Sequence, residues 1–409
     1  MNSRRVAVWC LYDFGNSAFA VLFPAIYGAF YAGHVIGNPE GTTWWGWVVS
    51  ASMLLVALSA PLLGGVADHA GVRKRMLVIY TLLGVGAVLC FDSIGPGMAV
   101  AGFVVGVIAN FAFEGGIVFY NAYLPAIAPP SHHGRVSARG FAMGYVGSLV
   151  ALGVAAPFAD AGMMRWVWIA LALQWLLAAL PAFLGLPKDE PTGMGVLAAA
   201  RKGMAETMQT LREVAGMKDL RRFLVAYFFY MDGVNTVIVF AGVYAEGELG
   251  FSTADLIKLL AIVQVFALVG SLALARATDV RGPRWTVCIV LLWWIGVVVA
   301  AFFAKTRTPF WVVASLAGVG LGSIQAASRA FMSRLIPDGR EAEFFGFYAL
   351  CGKTGAVVGP VLFGMIATAF QSQRPAILSV TAFYLVGFVL LGRVSKSAAG
   401  PVAVATDDG

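Results

Sequence analysis

The sequence predicts an all-α membrane protein with twelve transmembrane helices arranged as two parallel six-helix halves. Of its 409 residues, 60% are hydrophobic and only 12% are charged, which is too little polar surface to cover a soluble protein of this size. Apolar runs of roughly 20 residues recur along the whole chain, and that is the length a helix needs to cross the hydrocarbon core. Polar landmarks of the first half return in the same order in the second.

Twelve apolar runs are long enough to span a bilayer. The predicted spans are 7–33, 43–66, 76–94, 98–122, 139–158, 164–186, 222–245, 255–275, 285–304, 309–332, 343–369 and 374–393. The first run follows Arg4 and Arg5, as in a signal peptide, but it is too long and is interrupted by Asp13. We therefore interpret it as an uncleaved first span.

The basic residues are distributed unevenly between the two sides of the predicted membrane. The termini and the even-numbered connections hold 22 of the 28 Lys and Arg residues. Since basic residues concentrate on the cytoplasmic side, both termini are expected in the cytoplasm, and the protein in a bacterial inner membrane. The same short loops account for the net charge of +7, so the lipid bilayer is the expected partner and nucleic acid is not.

Composition divides the chain into four parts. The predicted halves are 1–186 and 222–394, and residues 187–221 between them form the only long polar segment. Apolar residues recur in this linker at helical spacing, which predicts an amphipathic helix on the cytoplasmic interface. We favour a simple tether over a regulatory role. The tail, 395–409, is small and polar and is predicted to be disordered.

A polar pattern inside the first span returns in the seventh. Its members, a carboxylate, an amide and a hydroxyl at positions i, i+3 and i+4, fall on one face of a helix. They are Asp13, Asn16 and Ser17, and 219 residues later Asp232, Asn235 and Thr236. A charge in lipid is energetically expensive, so two matching copies predict a polar cavity.

The two aspartates allow two interpretations. Asp13 and Asp232 either bind a solute amine or a coupling proton, or they cap broken helix turns beside Gly15 and Gly233. Glu114 differs, because the repeat places Ala326 at the corresponding position. Symmetry does not explain Glu114, and a carboxyl group away from water can carry a proton, so we predict a functional role for it.

Lys353 is a basic residue in a glycine-rich part of the eleventh span. Its ammonium group either holds a solute carboxylate or pairs with Asp232 or Glu114 when the cavity is empty; a permanent ion pair is the structural alternative.

A loop signature follows the second span. Gly64, Asp68 and Gly71 precede a basic cluster that begins at Arg73. This pattern resembles the loop between the second and third helices of the major facilitator superfamily, which is linked to conformational switching. The family usually has basic residues at the positions of His69 and Val72, so here Arg73 or Lys74 would take their role. A weaker copy has Asp279 and Gly282, each 211 residues downstream of its counterpart.

Four longer motifs resemble the vacuole effluxer branch of this superfamily, which is related to autophagy-linked vacuolar amino-acid exporters. They lie at Tyr12–Ala18, Tyr120–Pro125, Gly144–Gly147 and Phe344–Lys353. The resemblance implies that the first, fourth, seventh and tenth helices line a cavity. The residues that would face it are Asp13, Glu114, Asp232 and Gln325.

Nothing in the sequence indicates an enzyme, a metal site or a cofactor. The glycine run Gly318, Gly320 and Gly322 lies in an apolar span with no strand before it, so helix packing is favoured over a phosphate loop. The four cysteines occur singly in predicted spans, as small buried hydrophobic residues do.

We therefore predict a secondary transporter that moves a small polar or zwitterionic, amino-acid-like solute by alternating access, coupled to protons. An exporter of amphipathic drugs or lipids is the alternative within transport. A membrane sensor without turnover is the alternative from another class.

Overall fold

A computed structural model of the chain describes residues 2–37, 40–190, 192–193, 209–354 and 358–395. Their regular secondary structure is entirely helical. The long helices are α1 (Ser3–Leu22), α2 (Glu40–Ala70), α3 (Arg73–Cys90), α4 (Ala99–Asn121), α5 (His133–Asp160), α6 (Met164–Gly185), α7 (Lys218–Leu249), α8 (Thr253–Ala273), α9 (Pro283–Phe303), α10 (Arg307–Leu335), α11 (Glu341–Thr354), α12 (Val358–Phe370) and α13 (Gln373–Gly392).

Eleven stretches of helix in the described residues are long and apolar enough to cross a membrane. Each corresponds to one predicted span, and several helices extend beyond the predicted limits because their polar ends continue the helix outside the apolar region. The remaining predicted span, 343–369, is divided between α11 and α12. Residues 355–357 between them lie outside the described part, so twelve membrane-crossing elements agree with the structure.

The first span continues past α1 as two π-helical turns, Phe23–Tyr27 and Tyr31–Ile36. Pro24 lies in the first of these turns. Proline lacks the N–H that an α-helix needs and clashes with the preceding turn, so a local change of hydrogen-bonding pattern is expected there.

Contacts divide the chain into two units. Unit 1 comprises Met1–Ile127, Met143–Thr207 and Asp338–Leu350, and unit 2 comprises Ala128–Ala142, Met208–Pro337 and Cys351–Gly409. Unit 1 contains most of residues 1–186, and unit 2 contains most of residues 222–394. The beginning of α5 belongs to unit 2, and most of α11 belongs to unit 1.

Aromatic side chains form much of the core of unit 1. Tyr27 stacks on Phe91 with ring centroids 3.8 Å apart, and Phe19 stacks on Phe23 at 4.6 Å. Trp168 meets Phe91 edge-on at 5.3 Å. These rings are almost fully buried against one another, and such contacts add to the stabilisation from burial alone.

Large apolar side chains are also exposed along many helices. Leu58, Leu184 and Met365 each expose more than 60% of their surface. An exposed leucine is ordinary on a soluble protein, but a continuous apolar exterior on helices of this length is the surface that contacts lipid. The protein is therefore an integral membrane protein.

Two predicted segments fall mainly outside the described residues. Residues 194–208, which hold most of the predicted amphipathic helix, are outside, as is the tail from residue 396 onward. The described end of the linker, 209–216, is helical, with Val214 buried and Leu211 exposed.

The glycine run of α10 packs helices together, as the sequence indicates. A side-chain carbon at Gly322 would clash with the carbonyl of Ala267 in α8, and one at Gly320 would lie 3.0 Å from Trp294 in α9. Gly270 of α8 in turn lies against the backbone of Val319. Small residues at these positions allow two backbones to approach closely in lipid.

We expect Gly322→Ala to lower the thermal stability of the protein, because the added methyl group has only rigid backbone in front of it. Overpacking of this kind destabilises by about 1–3 kcal/mol. Thermal unfolding of the purified protein measures the effect. Gly296→Ala is the matched control, since Gly296 faces open space; equal losses in both variants would contradict the packing role.

Candidate functional site

Asp13 lies buried in α1, where two hydroxyl groups contact its carboxylate. The hydroxyl of Tyr120 in α4 donates to Asp13 Oδ2 over 3.0 Å, and Ser17 Oγ donates to Asp13 Oδ1 over 3.5 Å. Ser17 Oγ also lies 3.5 Å from Asn16 Oδ1. The predicted polar face of the first span therefore forms one hydrogen-bonded group, and Tyr120 completes it.

Aromatic packing fixes the position of Tyr120. Its ring stacks on Trp9 with centroids 4.5 Å apart and on Tyr12 at 5.2 Å. Trp9 Nε1 donates to the carbonyl of Tyr120 over 2.9 Å, and the hydroxyls of Tyr12 and Thr81 lie 2.9 Å apart. The Tyr120 hydroxyl is thus held toward Asp13 by rigid neighbours.

Two glycines of α5 let that helix approach α1. A side-chain carbon at Gly144 would lie 2.6 Å from Ser17 Oγ and 3.3 Å from Asp13 Oδ1, and one at Gly147 would clash with the carbonyl of Phe14. Gln174 Nε2 donates to the Gly147 carbonyl over 2.9 Å. The polar group on α1 is therefore closed on one side by backbone.

Asp232 of α7 has different partners. The backbone N–H of Gly359, the second described residue of α12, donates to Asp232 Oδ1 over 3.0 Å and to Oδ2 over 2.8 Å. Asp232 is 0% exposed. Its carboxylate therefore accepts from the backbone of another helix. Both interpretations of the aspartates, capping and transport, stay predictions.

The two aspartates nevertheless occupy equivalent places in their units. In unit 2, a side-chain carbon at Gly359 would lie 2.8 Å from Asp232 Oδ1 and would clash with Thr236 Oγ1. In unit 1, Gly144 likewise lies close to the side chains of Asp13 and Ser17. Gly359 follows Gly144 by 215 residues, close to the offset of the other landmarks. The contacts agree with the sequence repeat.

The other predicted site residues lie in both units. Glu114 is 8% exposed in α4 of unit 1. In unit 2, Asn235, Gln325 and Lys353 are each partly buried, in α7, α10 and α11 respectively. The described residues contain no group of three or more His, Cys, Asp or Glu side chains that could hold a metal ion.

The Asp68 loop of unit 1 binds the start of α11. Arg73 donates to Asp68 Oδ1 over 2.8 Å and to Glu341 Oε2 over 2.6 Å. The backbone N–H of Glu343 donates to Asp68 Oδ2 over 2.9 Å. Arg73 is the basic partner of Asp68, which is the role that we assigned to it or to Lys74.

Glycines shape this contact. A side-chain carbon at Gly64 would clash with the backbone of Ala342, and Gly346 lies against the backbone of Ala60. Gly71 has a φ of +65°, a conformation that glycine adopts without strain. It allows the sharp turn between α2 and α3.

The second copy of the loop has the same arrangement in unit 2. Asp279 accepts from the backbone N–H groups of Gly134 over 2.7 Å and Arg135 over 3.2 Å, at the start of α5. Arg135 Nε also donates to Asp279 over 2.7 Å, and Arg334 lies 3.7 Å from it. Gly282, with a φ of +87°, makes the turn into α9.

Sequence reasoning missed the partners of these carboxylates. Tyr120 begins the motif Tyr120–Pro125, but nothing in the sequence connected it to Asp13. Glu341 lies 268 residues from its partner Arg73, and Gly134 lies 145 residues from its partner Asp279. The acidic start of α11, with Glu341 and Glu343 in its first turn, was the one available signal, since acidic residues favour helix N-termini.

The apolar helices, the matched carboxylates and the two Asp-containing loops define a membrane transporter of the major facilitator superfamily. The human organic anion transporter MFSD10 (TETRAN) has this fold, with a TM-score of 0.74, 15% identity and coverage of 95% of this chain and 99% of that one. The E. coli fucose:proton symporter FucP has a TM-score of 0.72, 16% identity and coverage of 96% and 98%. At these identities the likeness shows the fold alone.

A family model described as "Vacuole effluxer Atg22 like" matches residues 45–135 and 131–400. The chain belongs to this family, which confirms the resemblance seen in its motifs. The MFS-type transporter YxiO of Bacillus subtilis (strain 168) is 28% identical over 98% of this chain and 97% of its own. Autophagy-related protein 22-1 of Neosartorya fischeri is 23% identical over 88% of this chain and 76% of its own. The chain is thus a transporter and not an enzyme.

We expect Asp232→Asn to destabilise the protein more than Asp13→Asn. The Gly359 N–H donates to both oxygens of Asp232, so an asparagine there keeps one bond and places its NH2 group near the same donor. An asparagine at position 13 still accepts from Tyr120, and its NH2 group can donate to the hydroxyl of Ser17. The expected loss for Asp232→Asn is about 1 kcal/mol, the scale of one hydrogen bond. Thermal unfolding of both variants in the same detergent compares them, and equal stability would contradict this difference.

We expect Asp68→Asn to speed conformational exchange. The change removes the negative charge that pairs with Arg73, and hydrogen bonds to charged groups contribute about 1.5–3 kcal/mol. An increase of roughly ten-fold in the exchange rate is therefore expected, measured by single-molecule fluorescence. Asp92→Asn, which alters an exposed surface pair with Arg165, is the control. Unchanged exchange in Asp68→Asn would contradict a conformational role for this loop.

Proposed function

We propose that this transporter moves a small zwitterionic, amino-acid-like solute by alternating access, coupled to protons and with both termini in the cytoplasm. The proposal rests on the buried carboxylates of unit 1. Asp13 and Glu114 lie inside apolar helices, where an ionisable side chain marks a functional pathway unless a structural role explains it.

The hydrogen-bond partners of Asp13 are the observation that carries the proposal. Hydroxyl groups both donate and accept, so Tyr120 and Ser17 can satisfy Asp13 whether or not it holds a proton. The backbone N–H of Gly359 can only donate, and it bonds both oxygens of Asp232. We therefore favour a structural role for Asp232 and keep Asp13 as a candidate for proton exchange.

Glu114 is the carboxyl group to which we assign the coupling proton. It is buried in the fourth helix, and the corresponding position in the second half is Ala326. The repeat of the scaffold does not account for this carboxylate, and a buried carboxyl group can gain a proton to avoid a charge in lipid. Asp13 is the second candidate for the same role.

Lys353 is the group to which we assign the anionic end of the solute. It is partly buried near the end of α11. The preceding Gly352 lies close to Tyr227, where a side-chain carbon would be 2.9 Å from the hydroxyl oxygen. An ammonium group on a flexible stem at such a position can reach a carboxylate.

The solute class follows from these charges and from the family. A lysine and buried carboxylates suit a molecule with both a carboxylate and an amine, and the motifs resemble those of vacuolar amino-acid exporters. Amphipathic drugs or lipids would require an accessible aromatic surface. In unit 1, however, the large rings of Phe19, Tyr27, Trp168 and Trp175 are buried against one another.

We expect Glu114→Gln to abolish accumulation driven by a pH gradient and to preserve solute exchange. Glutamine mimics the protonated carboxyl group, so the cycle continues without a proton to carry. Lys353→Ala is expected to remove solute binding itself. Proteoliposomes loaded with a radiolabelled amino acid, selected by a thermal-shift screen, separate accumulation from exchange.

Asp92→Asn is the control for the charge change, because Asp92 is exposed. Accumulation by Glu114→Gln in response to a pH gradient would transfer the proton assignment to Asp13 or Asp232. Binding of the solute without any accumulation by the wild-type protein would favour a membrane sensor.

A further inference from the structure

The helix α3 begins without a cap of its own. Its N-cap residue is Val72, which makes no side-chain hydrogen bond to the first turn. The first three residues are Arg73, Lys74 and Arg75. Basic side chains at a helix N-terminus oppose the helix dipole, and the N–H groups there lack internal partners. The start of α3 therefore needs an acceptor from elsewhere.

Asp189 supplies that acceptor from the segment that leaves α6. The backbone N–H groups of Lys74 and Arg75 donate to Asp189 Oδ1 over 2.6 Å and to Oδ2 over 3.1 Å. Its side chain is 10% exposed. These are the second and third residues of the helix, the two positions that an N-cap side chain normally serves.

Two further bonds tie the same segment to the loop before α3. Lys74 Nζ donates to the carbonyl of Leu186 over 3.0 Å, and Thr192 Oγ1 donates to the carbonyl of His69 over 2.5 Å. His69 directly follows Asp68. The segment that leaves α6 is therefore bonded to His69 before the turn at Gly71 and to Lys74 after it.

We propose that Asp189 is a positioning residue for the Asp68 loop. By capping α3 from outside the helix, it fixes the turn from which Arg73 reaches Asp68 and Glu341. This inference rests on the proposed transport function, because it assigns a role within the loop that switches conformation. It also makes the start of the linker part of that loop and not only a tether between the halves.

The second half repeats part of this arrangement. Arg284, in the first turn of α9, donates to the carbonyls of Leu391 and Gly392 over 2.9 and 2.8 Å, as Lys74 does to Leu186. Helix α9, however, begins at Pro283. Proline has no N–H and is favoured at the first helical position. The start of α9 thus has one N–H group fewer to satisfy, while the amides of Arg284 and Trp285 correspond to those that Asp189 serves in α3.

Hydrogen exchange on the full-length protein in lipid nanodiscs tests this proposal without any solute. We expect Asp189→Ala to speed exchange at the Lys74 and Arg75 amides by about five-fold, the effect of losing one cap. We also expect faster exchange at the Glu343 amide, because its acceptor Asp68 is held by Arg73. Asp189→Asn, which keeps one carbonyl oxygen, should give an intermediate change.

Arg73→Ala alone should speed hydrogen exchange at the Glu343 amide. The double variant with Asp189→Ala should show no further increase, because the effects of coupled residues are not additive. Glu190→Gln, a change at the exposed neighbouring carboxylate, should change nothing. If Asp189→Ala affects α3 alone, Asp189 is only a local cap and the proposal fails. If it affects neither helix, the contact itself is wrong. Neither result depends on whether the protein transports an amino acid.

Discussion

Carboxylates that cap helices from another element recur throughout this structure. Asp68 accepts from the start of α11, Asp279 from the start of α5 and Asp189 from the start of α3, while Asp232 accepts from Gly359 of α12. At the three helix starts the donor is an N–H group within the first three residues of the helix. The first N–H groups of a helix have no acceptor within that helix, so a helix start that is buried must find its acceptors on another element.

This kind of bond suits a protein that changes conformation. A carboxylate facing helix N–H groups combines a hydrogen bond with attraction to the helix dipole, and it holds a whole helix through one side chain. The Asp68 and Asp279 loops use this bond at the turn after α2 and at the corresponding turn after α8, with Arg73 and Arg135 as basic partners.

The apolar spans were predictable because lipid imposes one requirement on every spanning helix, a long apolar run. The loop signatures and the repeat were predictable for a similar reason, since each is contained in a short stretch of sequence. The partners were not. The contacts of Asp13 with Tyr120 and of Asp232 with Gly359 cross 107 and 127 residues. No local pattern shows which distant backbone a carboxylate will meet.

The difference between Asp13 and Asp232 could not be predicted from the sequence for this reason. Both residues follow the same pattern, and each lies against a glycine of α5 or α12 that brings another helix close. In unit 2 the N–H group of Gly359 in the neighbouring helix donates to the carboxylate. In unit 1 the glycine lies inside the continuous helix α5, whose amides are bonded internally, and a tyrosine hydroxyl reaches Asp13 instead. The two aspartates therefore differ in the donor that each accepts from, which is a backbone N–H group in unit 2 and side-chain hydroxyl groups in unit 1.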